Sequence, residues 1–304
     1  MAYQLKNDIP DLGGRVFLIT GGTAGLGIQT IVNLARHGPA HIYFTGRNKK
    51  NAESVIERVK TVAEDTKATF IQCDQTSLES VSLTVDKFLS KSPDRLDVLI
   101  CNAGIMCAPP DVSKDGYEIH FGVNFLSHAM FTRRLLPVLQ RTAAEHGEAR
   151  IVNLSSTAYE YHKGPIALAD MKSTLPNMRF PAGVLRYCQT KYAQVLYTAE
   201  LAKRYPSITS VAVHPGRIHT DMVSNLPLVS KIMVLWETWG EKLTEEEGCW
   251  NSCWAATAPV GSEIKSGGLY WPVGVPREFI EPAKDEKAWK ELWEWTDEQL
   301  ARWI

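Results

Sequence analysis

Val16-Phe17-Leu18-Ile19-Thr20-Gly21-Gly22-Thr23-Ala24-Gly25-Leu26-Gly27 decides how this chain folds. The first half is a short apolar run of strand-forming residues, which reads as a buried strand. The second half is a glycine-rich turn leading into an amphipathic stretch at residues 28–36. In that order, the free N–H groups and positive dipole end of a helix meet backbone that can approach an anion closely. The pyrophosphate of a dinucleotide suits such a turn, which makes Gly21, Thr23, Gly25, Leu26 and Gly27 candidate contacts. The spacing is Gly-x-x-x-Gly-x-Gly rather than Gly-x-Gly-x-x-Gly, and a plain tight loop is the alternative.

Outward from this unit the alternation repeats. Apolar, β-rich runs at 16–20, 41–45, 68–72, 96–100, 151–154 and 210–213 are separated by amphipathic stretches at 28–36, 52–64, 78–89, 121–139 and 192–204. Such alternation implies βαβ units. The prediction is an α/β fold: a single-domain, Rossmann-type doubly wound parallel sheet of about seven strands with helices on both faces. No linker or repeat divides residues 1–304, in which about 14–155 would bind cofactor and about 156–304 would carry catalysis and substrate binding. Two segments break the rhythm. Residues 158–186 are polar and punctuated by Gly164-Pro165, Leu175-Pro176 and Phe180-Pro181, whereas 222–240 are rich in large apolar residues such as Leu226, Ile232, Trp236 and Trp239. Both leave from carboxyl ends of strands, where open α/β sheets bind ligands, and both are candidate walls or lids of a substrate pocket. A core helix and a membrane-surface helix are the other readings of 222–240.

With 304 residues, 44% hydrophobic and 22% charged, the chain has the balance of a globular protein with a substantial core. A formal net charge of −1 gives no electrostatic case for nucleic acid or an anionic membrane. No apolar run reaches the roughly 18 residues of a spanning helix. Residues 1–10 lack the apolar core of a secretory signal. Cys73, Cys101, Cys107, Cys188, Cys249 and Cys253 show no zinc-type spacing, so buried thiols and a reducing, cytoplasmic setting are expected, with no metal.

The end of the second strand, Thr45-Gly46-Arg47-Asn48-Lys49-Lys50, speaks to which nucleotide. An acid there would accept from the ribose 2′-hydroxyl of NAD, whereas an arginine grips a 2′-phosphate with its planar donor fork. With Arg47 and no acid, the expected cofactor is NADP(H); a solvated basic helix start is the alternative. Asp74, after the third strand, is a candidate contact to adenine or part of a plain surface turn. Farther along, Tyr187-Cys188-Gln189-Thr190-Lys191 puts a phenol and an ammonium one helical turn apart. A fixed positive charge favours phenolate and would make the tyrosine an acid/base near neutral pH. The blander reading is a half-buried tyrosine beside a solvated lysine.

Together, Thr20-Gly21-x-x-x-Gly25-x-Gly27 and Tyr187-x-x-x-Lys191 resemble the short-chain dehydrogenase/reductase family. Further motifs follow in the family's order over residues 14–272: Asn102-Ala103-Gly104, Asn124 in Val123-Asn124-Phe125, Ser155-Ser156, and Pro215-Gly216-Arg217-Ile218-His219-Thr220. Phe17-Leu18-Ile19-Thr20-Gly21, Tyr187-Cys188-Gln189-Thr190-Lys191 and His214-Pro215-Gly216 are similar to its retinol-dehydrogenase-like branch.

The resemblance implies a catalytic tetrad of Asn124, Ser156, Tyr187 and Lys191. Tyr187 would give a proton to a carbonyl oxygen as hydride arrives from the nicotinamide, or remove it in the oxidative direction. Lys191 would hold the nicotinamide ribose and lower the Tyr187 pKa. Ser156, rather than Ser155, would bond the substrate oxygen, and Asn124 would hold a water leading from Lys191 to solvent. Asn102, Ala103, Gly104, Pro215, Gly216, Ile218 and Thr220 would contact cofactor, Thr220 at the carboxamide. Relatives often pair through helices corresponding to 121–139 and 192–204, which leaves a homodimer open, although monomers occur. The stretch between serine and tyrosine is longer here than in many members, which puts substrate analogies from shorter relatives in doubt. The function expected is an NADPH-dependent interconversion of a ketone or aldehyde and an alcohol on a lipophilic small molecule. An NADP-binding scaffold or sensor, and a biosynthetic enzyme doing non-redox chemistry on the same fold, are the alternatives.

Overall fold

The first strand already divides the molecule into two layers. In the computed structural model, which describes residues 8–92, 94–179, 181–216 and 243–304, β1 is Val16–Ile19 and is wholly buried. Phe17 and Ile19 join one apolar cluster, Val16 and Leu18 another, as the two-residue period of a strand requires. A strand that is apolar on both faces must be covered on both. On the Phe17 side lie α1 (Gly25–Ala35), through Ile31 and Leu34, and α2 (Lys49–Val62), through Val55 and Val59. On the Leu18 side lie α3 (Leu78–Lys91) and α4 (Ser127–His146), with Val81, Val85, Leu135 and Leu139 turned inward.

The other strands are β2 (His41–Gly46), β3 (Lys67–Gln72), β4 (Val98–Cys101), β5 (Arg150–Leu154), β6 (Thr209–Val213), β7 (Leu269–Trp271) and β8 (Val275–Arg277). Among the described residues they form one sheet in the order β3-β2-β1-β4-β5-β6-β7-β8, parallel except for β8 against β7. That is one strand more than about seven. β8 consists of three exposed residues on an edge, one of them Pro276, too short and too polar to stand out as a buried run. Because β1 has β2 on one side and β4 on the other, the chain reverses direction there and opens a crevice at the carboxyl ends of β1 and β4.

Three helical features bear on the site. The helix expected from residue 121 begins as a π-helical turn, Phe121–Leu126, before α4. The long helix α5 (Ala182–Arg204) starts well before the amphipathic stretch at 192–204, so that Tyr187 and Lys191 both lie inside it. After the short helices α6 (Glu245–Gly248) and α7 (Trp250–Thr257), the chain closes with α8 (Glu286–Leu300), packed on α5. α8 was not foreseen, although Trp289, Leu292, Trp293, Thr296 and Leu300 carry helical spacing. The segment before α5 is anchored by buried Tyr159, Met171 and Leu175, and by a bond from the Ala167 amide to Gln189 Oε1 (3.1 Å). The stretch 222–240, the second lid candidate, lies outside the described residues.

Candidate active site

The loops that follow β1, β2, β3, β4, β5 and β6 all leave the same edge of the parallel sheet, which gathers the sequence motifs around the crevice. α1 starts at the glycine turn with Ala24 before it, no capping side chain and no acid in its first turn, so its N–H groups and dipole face outward unopposed. Gly25 has φ +47, and a side chain on it would project into open space, leaving a concave rim. A Cβ on Gly27 would collide with the Gly21 carbonyl, so only glycine lets helix and loop pack this closely. An anion-binding cradle of this kind fits a dinucleotide pyrophosphate.

Neighbouring motifs brace the cradle. Asn102 Nδ2 donates to the Thr20 carbonyl (2.8 Å), and the amides of Asn102 and Ala103 both donate to Thr20 Oγ1 (3.0 Å each). Asn51 Nδ2 donates to the buried Thr23's carbonyl (3.2 Å), and Leu26 accepts from Thr30 Oγ1 through its carbonyl (2.9 Å). Gly104 lies against the Asn124 amide, 3.4 Å from a Cβ placed on it. Arg47 is exposed at the tip of β2, immediately before the N-cap of α2. Asp74 is turned toward its own protein: Oδ1 accepts from Thr76 and Oδ2 from Lys114 Nζ (2.8 Å). Burial pushes its carboxyl up, but those bonds outweigh burial and hold it below the usual range. Pro215 and Gly216 follow β6 at the same edge. Ile218 and Thr220 lie outside the described residues.

The two serines after β5 face different ways. Ser155 is buried and donates to the Lys191 carbonyl (3.0 Å), whereas Ser156 accepts from the Ala158 amide and lies near enough to the Tyr187 phenol to lower its pKa. Lys191 is buried; its Nζ donates to the Leu154 carbonyl (2.6 Å) and Gln194 Oε1 (3.1 Å), and sits 5.4 Å from the Tyr187 ring centroid. Burial lowers its pKa to about 7. The phenol of Tyr187 moves the opposite way from the expectation drawn from its spacing to lysine. Burial, helped by the thiols of Cys188 and Cys107, pushes it above the ordinary tyrosine value, and only neighbouring Ser156 opposes this. With Lys191 itself losing charge near neutrality, the protein's own groups do not favour phenolate.

Asn124, in the π turn, is held on every side. Its Oδ1 accepts from the Ile105 amide (2.8 Å), and its Nδ2 donates to the Ile105 carbonyl (2.9 Å) and Thr190 Oγ1 (3.2 Å). Its main-chain carbonyl accepts from Gln194 Nε2 (2.8 Å) and from His128 Nδ1 (2.9 Å). Gln194 and His128 were missed in the sequence reading. The available signal was Gln194 three residues after Lys191 and His128 four after Asn124, each on the same helix face. All six cysteines are buried and none forms a disulfide, and among the described residues no cluster could hold a metal.

This arrangement is that of an alcohol- or carbonyl-acting oxidoreductase built around a nicotinamide cofactor, and the comparisons agree. The sequence model for short chain dehydrogenases matches residues 15–228, and the chain belongs to that family. Within it, the chain falls in the retinol-dehydrogenase-like branch. An uncharacterized oxidoreductase of Schizosaccharomyces pombe is 36% identical, over 95% of this chain and 86% of that protein. Human polyprenol dehydrogenase is 31% identical over 95% and 86%, and human retinol dehydrogenase 12 is 33% identical over 96% and 88%. Among solved structures, an uncharacterized protein from Mycobacterium Paratuberculosis superposes with TM-score 0.74 at 26% identity, covering 98% of this chain and 97% of that one.

Proposed function

We propose that the protein is an NADP(H)-dependent reductase or dehydrogenase that interconverts a ketone or aldehyde and an alcohol on a lipophilic small molecule. The observation that carries this reading is the Lys191 amine 5.4 Å from the Tyr187 ring, with Ser156 beside the same phenol. When bound, the nicotinamide supplies or accepts a hydride. Ser156 orients the substrate oxygen toward the phenol, and Tyr187 gives that oxygen its proton. The protein alone raises the phenol's pKa, which suits a proton donor at rest. In the oxidative direction Tyr187 would start as the phenolate, which a charged Lys191 stabilises, and take the alcohol's proton. The glycine cradle and Asn102 to Gly104 would hold the cofactor, and Asp74 would stand beside its adenine.

Two features support the finer choices. Arg47, with no acid at that position, suits a 2′-phosphate. The relatives named for retinol and polyprenol, together with the large apolar residues at 222–240, support a lipophilic substrate. The test is NADPH oxidation across a panel of lipophilic ketones and aldehydes, with cofactor binding followed separately by fluorescence. Tyr187→Phe is expected to lose roughly 10²–10⁴-fold in kcat while still binding NADPH; full turnover in that variant would sink the mechanism. Arg47→Ala is expected to weaken NADPH far more than NADH, and equal weakening would remove Arg47 from its assigned role.

A further inference from the structure

A continuous set of buried polar groups leads from the reacting end of α5 into the core. Lys191 Nζ donates to Gln194 Oε1 (3.1 Å), and Gln194 Nε2 donates to the Asn124 carbonyl (2.8 Å). The same carbonyl accepts from His128 Nδ1 (2.9 Å), and His128 Nε2 meets Thr20 Oγ1 (2.8 Å) and Gln75 Nε2 (3.1 Å). The network fixes the imidazole's tautomer. The Asn124 carbonyl can only accept, so Nδ1 carries the hydrogen, and the one lone pair of Nε2 accepts from Thr20 Oγ1 or Gln75 Nε2. His128 is therefore protonated on Nδ1, which donates to Asn124. Two donors use both lone pairs of that carbonyl. Gln194, His128 and Asn124 are all buried.

We propose that Gln194 is a positioning residue for Lys191: its amide grips the ammonium with one end and the Asn124 carbonyl in the π turn with the other, tying the charge beside Tyr187 to α4. This rests on the function proposed above. An ammonium in a dry site needs acceptors, and among the described residues Lys191 has no carboxylate partner; the Leu154 carbonyl and Gln194 Oε1 do that work. The titratable groups facing it are Tyr187 on its own helix and neutral His128 from α4, with the thiols of Cys107 and Cys188 beside Tyr187. Because burial has brought Lys191 to about 7, the loss or gain of one acceptor changes its charge within the working pH range.

The experiment titrates Lys191 by NMR in protein labelled with 13Cε-lysine, the signal assigned with Lys191→Arg, alongside pH profiles of kcat. Gln194→Glu puts an anion at the same atom and is expected to move the Lys191 titration, and the alkaline fall in kcat, up by roughly 1–3 pH units. Gln194→Leu removes the acceptor and is expected to move both down; Gln194→Asn, too short to reach both ends, stands in if the leucine variant does not fold. A Lys191 titration unmoved in the glutamate variant, with kcat reduced equally at every pH, would mean a merely structural glutamine and would overturn the proposal. The NMR shift does not require turnover. If it occurs in a protein that reduces no carbonyl, the positioning role stands and the proposed function fails.

Discussion

His128 shows how far a single buried side chain can be read. Burial lowers its pKa to about 4, opposed by the Asn124 bond and aided less by the charge of Lys191. Between the ordinary value of 6.5 and about 4 the unfolded chain takes a proton that the folded chain refuses, so stability falls as pH falls through that window. The loss is on the order of 3 kcal/mol at most. His128→Gln keeps a donor for Asn124 and an acceptor for Thr20 but cannot titrate. Urea unfolding at pH 4.5 and 7.5 is expected to show a smaller acid loss in that variant than in the parent; an unchanged loss would assign acid sensitivity elsewhere. The sequence made Tyr187 and Lys191 legible because their spacing encodes their geometry, whereas Ser156 was legible only through the family resemblance. It did not make the direction of the Tyr187 pKa legible, because that depends on how much protein surrounds the phenol.

At the scale of elements, β1 with its glycine turn was readable outright, since a buried strand feeding a helix follows from local pattern. The π turn was not. Phe121–Leu126 continues an amphipathic pattern, and the donors around its Asn124 include the distant Gln194 of α5 as well as nearby His128. α8 is held by an aromatic and cationic stack: the Trp293 ring lies 5.0 Å from that of Tyr197, and the guanidinium groups of Arg133 and Arg204 approach it to 4.7 and 4.8 Å. Arg133 also pairs with Asp297 of α8 (3.0 Å). Trp293 is 2% exposed. Trp293→Ala is expected to cost about 3–5 kcal/mol in denaturant unfolding. A cost under about 1 kcal/mol would mean that α8 contributes little to the fold.

Across the whole molecule, the sheet order sets where chemistry can occur. The reversal between β1 and β4 opens the crevice, and the loops after β4, β5 and β6 bring groups more than 80 residues apart in sequence to its rim. α8 packs on α5 and pairs with α4 through Asp297 and Arg133, the two helices through which the family resemblance allowed pairing. Among the described residues no helix is long and apolar enough to cross a membrane. By itself the sequence determined the alternating α/β order, the nucleotide turn and the Tyr187–Lys191 spacing, because strand period, glycine stereochemistry and helical pitch are local properties. Only the tertiary structure decided that Lys191 is dry enough to titrate near neutrality, and that Gln194 and His128 share one carbonyl. Burial and side-chain direction are set by what packs around a residue, and those neighbours come from distant parts of the chain.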